Sequence, residues 1–366
     1  MILDLIKVFL PAAISFIVGI MITPLWTSYL FKNEMWKKKA GKVSLEGGET
    51  PIFNELHKTK EVGTPRMGGV IIWASTFITI TLLWLASHLL PFEIFDKLEF
   101  LSRSQTWIPF FALLLGAFVG FIDDMYEIKG NGSHKAGGLS LKKRLLVVSL
   151  IGLFCALWFY FKLEVSSVGM LFSNPINLGV LFIPFFVAVM LFIYSGGIID
   201  GIDGLAGGVF AIMFTGYGMI AFFQNQIDIA ALCATIVGGL LAFLWFNIPP
   251  ARFYMSETGS MALTVVLSIV AFMTDTLGGG HGVSALLIIG APLVITSLSV
   301  IIQQISKRFR GGKKVFLVAP LHHHFEALGW PSYKVTMRYW VMYIVLCIIG
   351  VIFAMIKYNN ELRIMN

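Results

Sequence analysis

The stretch "LFIPFFVAVMLFIYSGGIIDGIDGLAGG", residues 181–208, decides how this chain is read. It opens with an apolar run, Leu181–Ile193, and then sets Asp200 and Asp203 among glycines. A carboxylate at the centre of a membrane helix costs about 2.5–3.5 kcal/mol on insertion scales. The two aspartates therefore belong at the end of a span, in a place where a ligand needs them.

The rest of the chain agrees that the run is a span. Of 366 residues, 57% are hydrophobic and 13% charged, and the mean hydropathy is +0.83. An average soluble domain is about 25% charged. The alternating pattern of a membrane β-barrel is absent. Spans are expected at about 8–30, 68–90, 107–122, 144–162, 178–196, 208–223, 229–246, 260–274, 284–303 and 336–356. The fold class is all-α: residues 1–366 form a single integral membrane domain, a polytopic protein with about ten transmembrane helices. The first run is long for a signal peptide and no small-x-small cleavage site follows it, so it is read as a retained span. Cys155, Cys233 and Cys347 lie inside apolar runs and read as packing residues.

The net charge of +7 points to anionic headgroups and topology before nucleic acid. Connections after odd-numbered spans hold 21 of the 27 basic residues. The positive-inside rule puts those connections in the cytoplasm and both termini outside. The cytoplasmic segments, about 31–67, 123–143, 197–207, 247–259 and 304–335, then form one active face. They carry "HKTKEVGTPRMGG" (57–69), "GFIDDMYEIKG" (120–130), "DGIDGLAGG" (200–208), "FNIPPARFYMSETGS" (246–260) and "APLHHHFEALGWP" (319–331). The outer connections carry scattered charge. A coupled transporter would instead place its polar residues near the midplane, in broken spans.

Asp123 and Asp124 end the third expected span. Two readings stand: they cap the next turn, or they hold a divalent cation, since Mg²⁺ prefers hard oxygen ligands and takes one or two carboxylates. Asp200 and Asp203, spaced i, i+3, share a face if their segment is helical. Glu257 adds a carboxylate at the start of the eighth span, where Ser256 or Thr258 would serve as N-cap and a helix N-terminus would favour phosphate. His322, His323 and His324 are consecutive, without the spread of ligands or the cysteine partner that zinc favours. They suit phosphate oxygens better, beside Lys313 and Lys314. His88, His134 and His281 read as structural or exposed. "RGGKK" (310–314) lacks Walker spacing, and no G-x-S-x-G is present.

Together these motifs resemble the phospho-N-acetylmuramoyl-pentapeptide transferases (translocase I), within the polyprenyl-phosphate N-acetylhexosamine-1-phosphate transferase superfamily. The likeness runs from about residue 57 to the end of the tenth span, and "HHHFEALGWP" is its most specific part. It implies ten membrane helices, both termini outside and a site facing the cytoplasm of the bacterial inner membrane. It implies transfer of phospho-MurNAc-pentapeptide from UDP-MurNAc-pentapeptide to undecaprenyl phosphate, giving lipid I and UMP, with Mg²⁺ as cofactor. The lipid bilayer is a partner, nucleic acid is not, and a homodimer is left open. Residue by residue, the resemblance implies catalytic roles for Asp123, Asp124 and His324. It implies substrate binding by Lys58, Thr64, Asp200, Asp203, Asn247, His322 and His323, and metal binding by Glu257, Asp200 and Asp124. The chain departs from the family at Gly197 and Tyr194, where asparagines are usual. It reads M-S-E at 255–257 where M-G-D is usual, and carries Arg66 in place of threonine. A transferase acting on another UDP-sugar is the neighbouring alternative.

Overall fold

The structure, a computed structural model, describes the backbone of residues 1–38, 62–101, 105–130, 138–170 and 173–365, with side chains as far as residue 355. Within those residues the chain is almost wholly helical. The helices are α1 (Ile2–Lys32), α2 (Val70–Leu89), α3 (Glu93–Leu98), α4 (Trp107–Lys129), α5 (Leu141–Lys162), α6 (Phe182–Ser195) and α7 (Leu205–Phe223). They continue with α8 (Ile227–Asn247), α9 (Ser256–Met273), α10 (Gly282–Ile289), α11 (Ala291–Phe309), α12 (Leu321–Ala327) and α13 (Ser332–Met365). The reason is the solvent: in hydrocarbon only a helix or a closed barrel satisfies every backbone polar group. Nine described segments are long and apolar enough to cross a bilayer, and the bent pair α10–α11 makes a tenth. All ten expected spans are found. The bend of 67° falls at Gly290, just before Pro292, and a break at such residues is what kinks a helix.

The expected ends of some spans move. The third was expected to stop at about residue 122, but α4 runs on to Lys129 and carries Asp123 and Asp124 inside its last turns. Asp200 and Asp203 do not share a helix. A short 3₁₀ turn, Gly196–Ile199, ends at Asp200, and α7 starts only after Gly204, which sits at φ +75°. Four glycines at Gly196, Gly197, Gly201 and Gly204 oppose helix formation here, and a positive φ suits glycine. The all-α expectation also gains an exception: β1 (Ser167–Met170) pairs antiparallel with β2 (Ser173–Asn177), with Val168 opposite Ile176.

The centre of the molecule is α9, whose residues are all buried except Glu257. It packs along α4 and touches α2, α5, α6 and α7. Small residues permit this. Gly116 and Gly120 of α4 lie against the α9 backbone, and Gly69 lies against Gly259. Phe272 stacks on Phe186 with ring centroids 4.1 Å apart. Outer helices reverse the polarity. On α11, Thr296, Ser297, Ser299, Gln303 and Ser306 are buried, while Ile295, Leu298, Ile301, Ile302 and Ile305 are exposed. That is the pattern of a helix with its apolar face toward lipid.

The C-terminal end of α9 is better built than scattered charge would suggest. Asp275 is buried and accepts hydrogen bonds from the backbone N–H of Gly169 in β1 at 2.6 Å and of Val283 at 2.8 Å. Gln224 and Gln226 donate to the carbonyls of Thr274 and Met273. Burial pushes the Asp275 carboxyl up to about 7, against the pull of its backbone hydrogen bonds. His281, expected to be structural or exposed, is buried beside it. All three cysteines are buried and free.

Candidate active site

The site is organised by the N-terminus of α9, whose first amides have no intrahelical acceptor. No side chain of its own caps it, contrary to the expectation for Ser256 or Thr258. Carboxylates from two other elements do so. Asp124 Oδ2 accepts from the Thr258 N–H at 2.9 Å and from its hydroxyl at 2.6 Å, and Oδ1 accepts from the Glu257 N–H at 3.3 Å. Asp200 Oδ2 accepts from the Ser256 N–H at 2.8 Å. The partial positive charge of a helix start favours both anions. Ser256 takes φ +61°, a conformation that suits glycine better than serine.

Asp123 faces the other way on α4. Its Oδ1 accepts from Leu139 N at 2.7 Å and from Arg144 Nε at 2.9 Å. Its Oδ2 is buried and accepts no hydrogen bond, though Arg144 Nη2 lies 2.9 Å away as an ion pair. The same guanidinium reaches Glu257 Oε1 through Nη1 at 2.6 Å. Arg144 thus bridges the aspartate of α4 to the glutamate of α9. Gly138 closes over this pair: a Cβ there would stand 2.8 Å from Arg144 Nη2 and 2.9 Å from Asp123 Oδ2.

Asp203 Oδ2 accepts from Ala251 N at 3.1 Å. Asn247 clasps the adjoining loops, its Oδ1 accepting from Gly204 N at 2.9 Å and its Nδ2 donating to Phe253 O at 2.8 Å. The histidine triplet divides. His322 and His323 turn toward the D-G-I-D turn, where a Cβ on Gly201 would lie 2.5 Å from His322 Nε2 and 2.8 Å from His323 Nε2. Glu326 Oε2 stands 2.7 Å from His323 Nδ1, which places the proton on Nδ1 and aims Nε2 at Gly201. His324 faces away. Its Nδ1 accepts from Leu317 N at 3.2 Å, and it lines a cavity of about 410 Å³ with Lys314, Val315, Phe316, Leu317 and Leu328. Thr64 lies two residues before Arg66 on the chain segment that reaches α4. Lys58 lies outside the described residues.

Two participants escaped the sequence reading. Arg144 had counted only as a topology charge, and Glu127 had not been singled out. Oxygens of Asp123, Asp124 and Glu127 lie within 4.8 Å of one another. The signal for Glu127 was its place four residues after Asp123 on one helix. Arg144, across a loop and paired with residue 257, left no local signal.

A polytopic membrane protein with this acid-lined helix start belongs to a recognisable class. Residues 106–275 match the family described as Glycosyl transferase family 4. Closer relatives span nearly the whole chain. It is 33% identical to the phospho-N-acetylmuramoyl-pentapeptide-transferase of Listeria monocytogenes over 93% of its length and 95% of the relative's. The figures for that of Anoxybacillus flavithermus are 33%, 93% and 95%, and for that of Rickettsia massiliae 32%, 84% and 84%. The chain belongs to the phospho-N-acetylmuramoyl-pentapeptide-transferase family.

Proposed function

We propose that this protein transfers phospho-MurNAc-pentapeptide from UDP-MurNAc-pentapeptide to undecaprenyl phosphate, forming lipid I and UMP at the cytoplasmic face of the bacterial inner membrane. The observation that carries the reading is the convergence of Asp123, Asp124, Asp200 and Glu257 on the start of α9, with two histidines set against the turn between Asp200 and Asp203. Both substrates are anionic. Bringing them together needs positive charge, and because Arg144 and the α9 start are already met by carboxylates, a bound cation would supply it.

The donor set fits Mg²⁺. It is oxygen only, and one oxygen of each of Asp123, Asp124 and Glu127 falls within 4.8 Å of the others. Asp123 Oδ2 retains acceptor capacity in a buried position. No cysteine among the described residues lies near these groups, which disfavours zinc. Bound Mg²⁺ supplies Lewis-acid polarisation of a diphosphate and offsets the charge of the leaving UMP. The chain's own groups do the rest. Asp124 and Asp200 fix the α9 start, which places Glu257 and the first amides of that helix. Asp123 is the carboxylate placed to take the proton of the lipid phosphate. His322 and His323 set their Nε2 atoms beside the D-G-I-D turn, where they would hold phosphate oxygens as donors when the rings carry a second proton, and Asn247 keeps that turn in register. His324 and Lys314 stand apart, suited to a second anionic group, and Lys58 and Thr64 belong to the basic segment that precedes α2.

The decisive test is purified protein with both substrates and Mg²⁺, assayed for UMP. Release of UMP with lipid I formed in equal amount supports the reading. Transport without UMP release would refute it. Orientation is tested separately: a cysteine placed at Gly312 should resist an impermeant thiol reagent in intact cells, because the 304–335 segment is cytoplasmic in this reading.

A further inference from the structure

His323 and Glu326 stand three residues apart on α12 and so share a face of that short helix. Both are buried. Glu326 Oε2 lies 2.7 Å from His323 Nδ1, and its other oxygen, Oε1, accepts from the Ser332 hydroxyl at 2.7 Å. Ser332 is the first residue of α13. One turn further along the same helix, the Thr336 hydroxyl donates to the carbonyl oxygen of Asp203 at 3.1 Å. The start of α13 therefore holds two groups in place. One is the carboxylate behind His323. The other is the turn that His323 faces, where a Cβ on Gly201 would stand 2.8 Å from its Nε2. The link between α12 and α13 is itself fastened. Gly329 N donates to Glu326 O at 2.8 Å and Trp330 N to Phe325 O at 3.1 Å. Trp330 stacks on Phe325 with centroids 4.9 Å apart, and the Arg338 guanidinium lies 4.1 Å over the Trp330 ring.

We propose that Glu326 is a positioning residue for the transfer reaction: it keeps a proton on His323 Nδ1, so that Nε2 is the nitrogen presented to substrate oxygen at the D-G-I-D turn, and Ser332 holds Glu326 to that task. The inference rests on the reading above that His323 meets phosphate oxygens there. An ionised carboxylate only accepts hydrogen bonds, so a ring nitrogen bonded to it must donate. With Nδ1 committed, a second proton goes to Nε2, facing the turn, and the carboxylate stabilises the imidazolium so formed. An amide would not hold this arrangement. Glutamine keeps the shape but carries a donor as well as an acceptor, and the Ser332 hydroxyl can meet either end. Turned about, its NH₂ would donate to Nδ1 and leave the ring proton on Nε2 as an uncharged donor. Hydrogen bonds from a charged donor are roughly twice as strong as neutral ones, so the cost falls on the hold on substrate.

The test is a double-mutant cycle on UMP release by the full-length protein in detergent, with both substrates and Mg²⁺ present. His323→Asn supplies the second background, and melting temperatures are recorded alongside. Glu326→Gln should lower kcat/KM by about 10–100-fold in the parent, the size of one charged hydrogen bond. It should cost less than about twofold in His323→Asn, because its effect passes through that ring. Nitrogen-15 spectra of histidine-labelled protein read the proton directly. The His323 signal, identified by its loss in His323→Asn, should show Nδ1 protonated in the parent and the proton moved to Nε2 in Glu326→Gln. An equal loss in both backgrounds overturns the inference, as does parental turnover in Glu326→Gln. A slowed Glu326→Gln whose His323 keeps its Nδ1 proton overturns it too. If Glu326→Gln does not fold, Ser332→Ala leaves the carboxylate but frees it to rotate. That change should slow the parent several-fold and leave His323→Asn unaffected; equal costs there are equally fatal. Parental turnover in His323→Asn overturns the reading of the site itself, an outcome distinct from additivity at a histidine that matters.

Discussion

Gly120→Ala should disable the enzyme while leaving the ten-helix fold in place. A Cβ at Gly120 would meet the carbonyl oxygen of Glu257, stand 2.6 Å from the Glu257 carbonyl carbon and 2.8 Å from Thr258 N. Ordinary contact begins near 3.4 Å, and the carbonyl oxygen is the tightest of the three, so the start of α9 must retreat by more than 0.8 Å. All three neighbours are backbone, so no side chain can rotate away. Overpacking of this kind costs about 1–3 kcal/mol. The larger effect is on the site. The retreat stretches the Thr258 N–H to Asp124 bond from 2.9 Å beyond good hydrogen-bond length and carries Glu257 with it. A misplacement of about 1 Å can cost on the order of 10²-fold in rate, so a loss of about 30–100-fold in UMP release at saturating substrates is expected. Gly197→Ala is the matched control, because its Cβ finds nothing nearer than Ser260 Cβ at 3.6 Å; it should stay within about threefold of the parent. Gly120→Ala within twofold of the parent, with an undisturbed melting temperature, would refute the claim that the α4–α9 contact sets the site.

Asn247→Ala should lower stability by about 1–3 kcal/mol, since it leaves a buried donor and acceptor unmade, and raise KM for the UDP substrate; thermal melting and initial rates check both. Ser256→Gly should raise the melting temperature, by relief of about 1 kcal/mol of left-handed strain, without loss of the Asp200 contact. Asp275 has its folded pKa raised to about 7 from 3.8, so the folded state binds the extra proton between those values and stability falls as pH rises through about 4–7. Melting curves at pH 5 and pH 8 should show this slope, at most about 3 kcal/mol between them, and Asp275→Asn should flatten it. Chelation should abolish UMP release, Mg²⁺ should restore it, and metal analysis should find no stoichiometric zinc.

Most of the architecture was legible because hydrophobic length is a strong signal in a bilayer. What hydropathy could not show was where helices end inside the protein. α4 continues past Ile122 because its last turns are buried against α9 and the Asp123 and Asp124 charges are met by Arg144 and Thr258, partners from distant sequence. The D-G-I-D spacing suggested a shared helical face, and glycine content with the positive φ at Gly204 turned it into a turn. The acidic residues of the site were found from composition alone, as costly groups in an apolar chain. Arg144 and Glu127 were not, because a charged residue near a helix end is ordinary until its partner is known. The Asp275 cluster was passed over for the opposite reason: its partners are backbone amides, which no side-chain pattern announces.

The foreign capping of α9 has a consequence for how the chain is made. Asp124 and its partner Thr258 are 134 residues apart. At a synthesis rate of about 5–20 residues per second, roughly 7–27 s pass between the emergence of the two. During that interval α4 exists without the amides that satisfy Asp124, while Asp123 has the Leu139 amide and Arg144, 16 and 21 residues behind it, for company. The order of synthesis therefore makes the early half of the bundle wait, with its acidic end held at the aqueous boundary, for a helix that is threaded into the middle late. Completion of the catalytic centre and completion of the bundle become a single event.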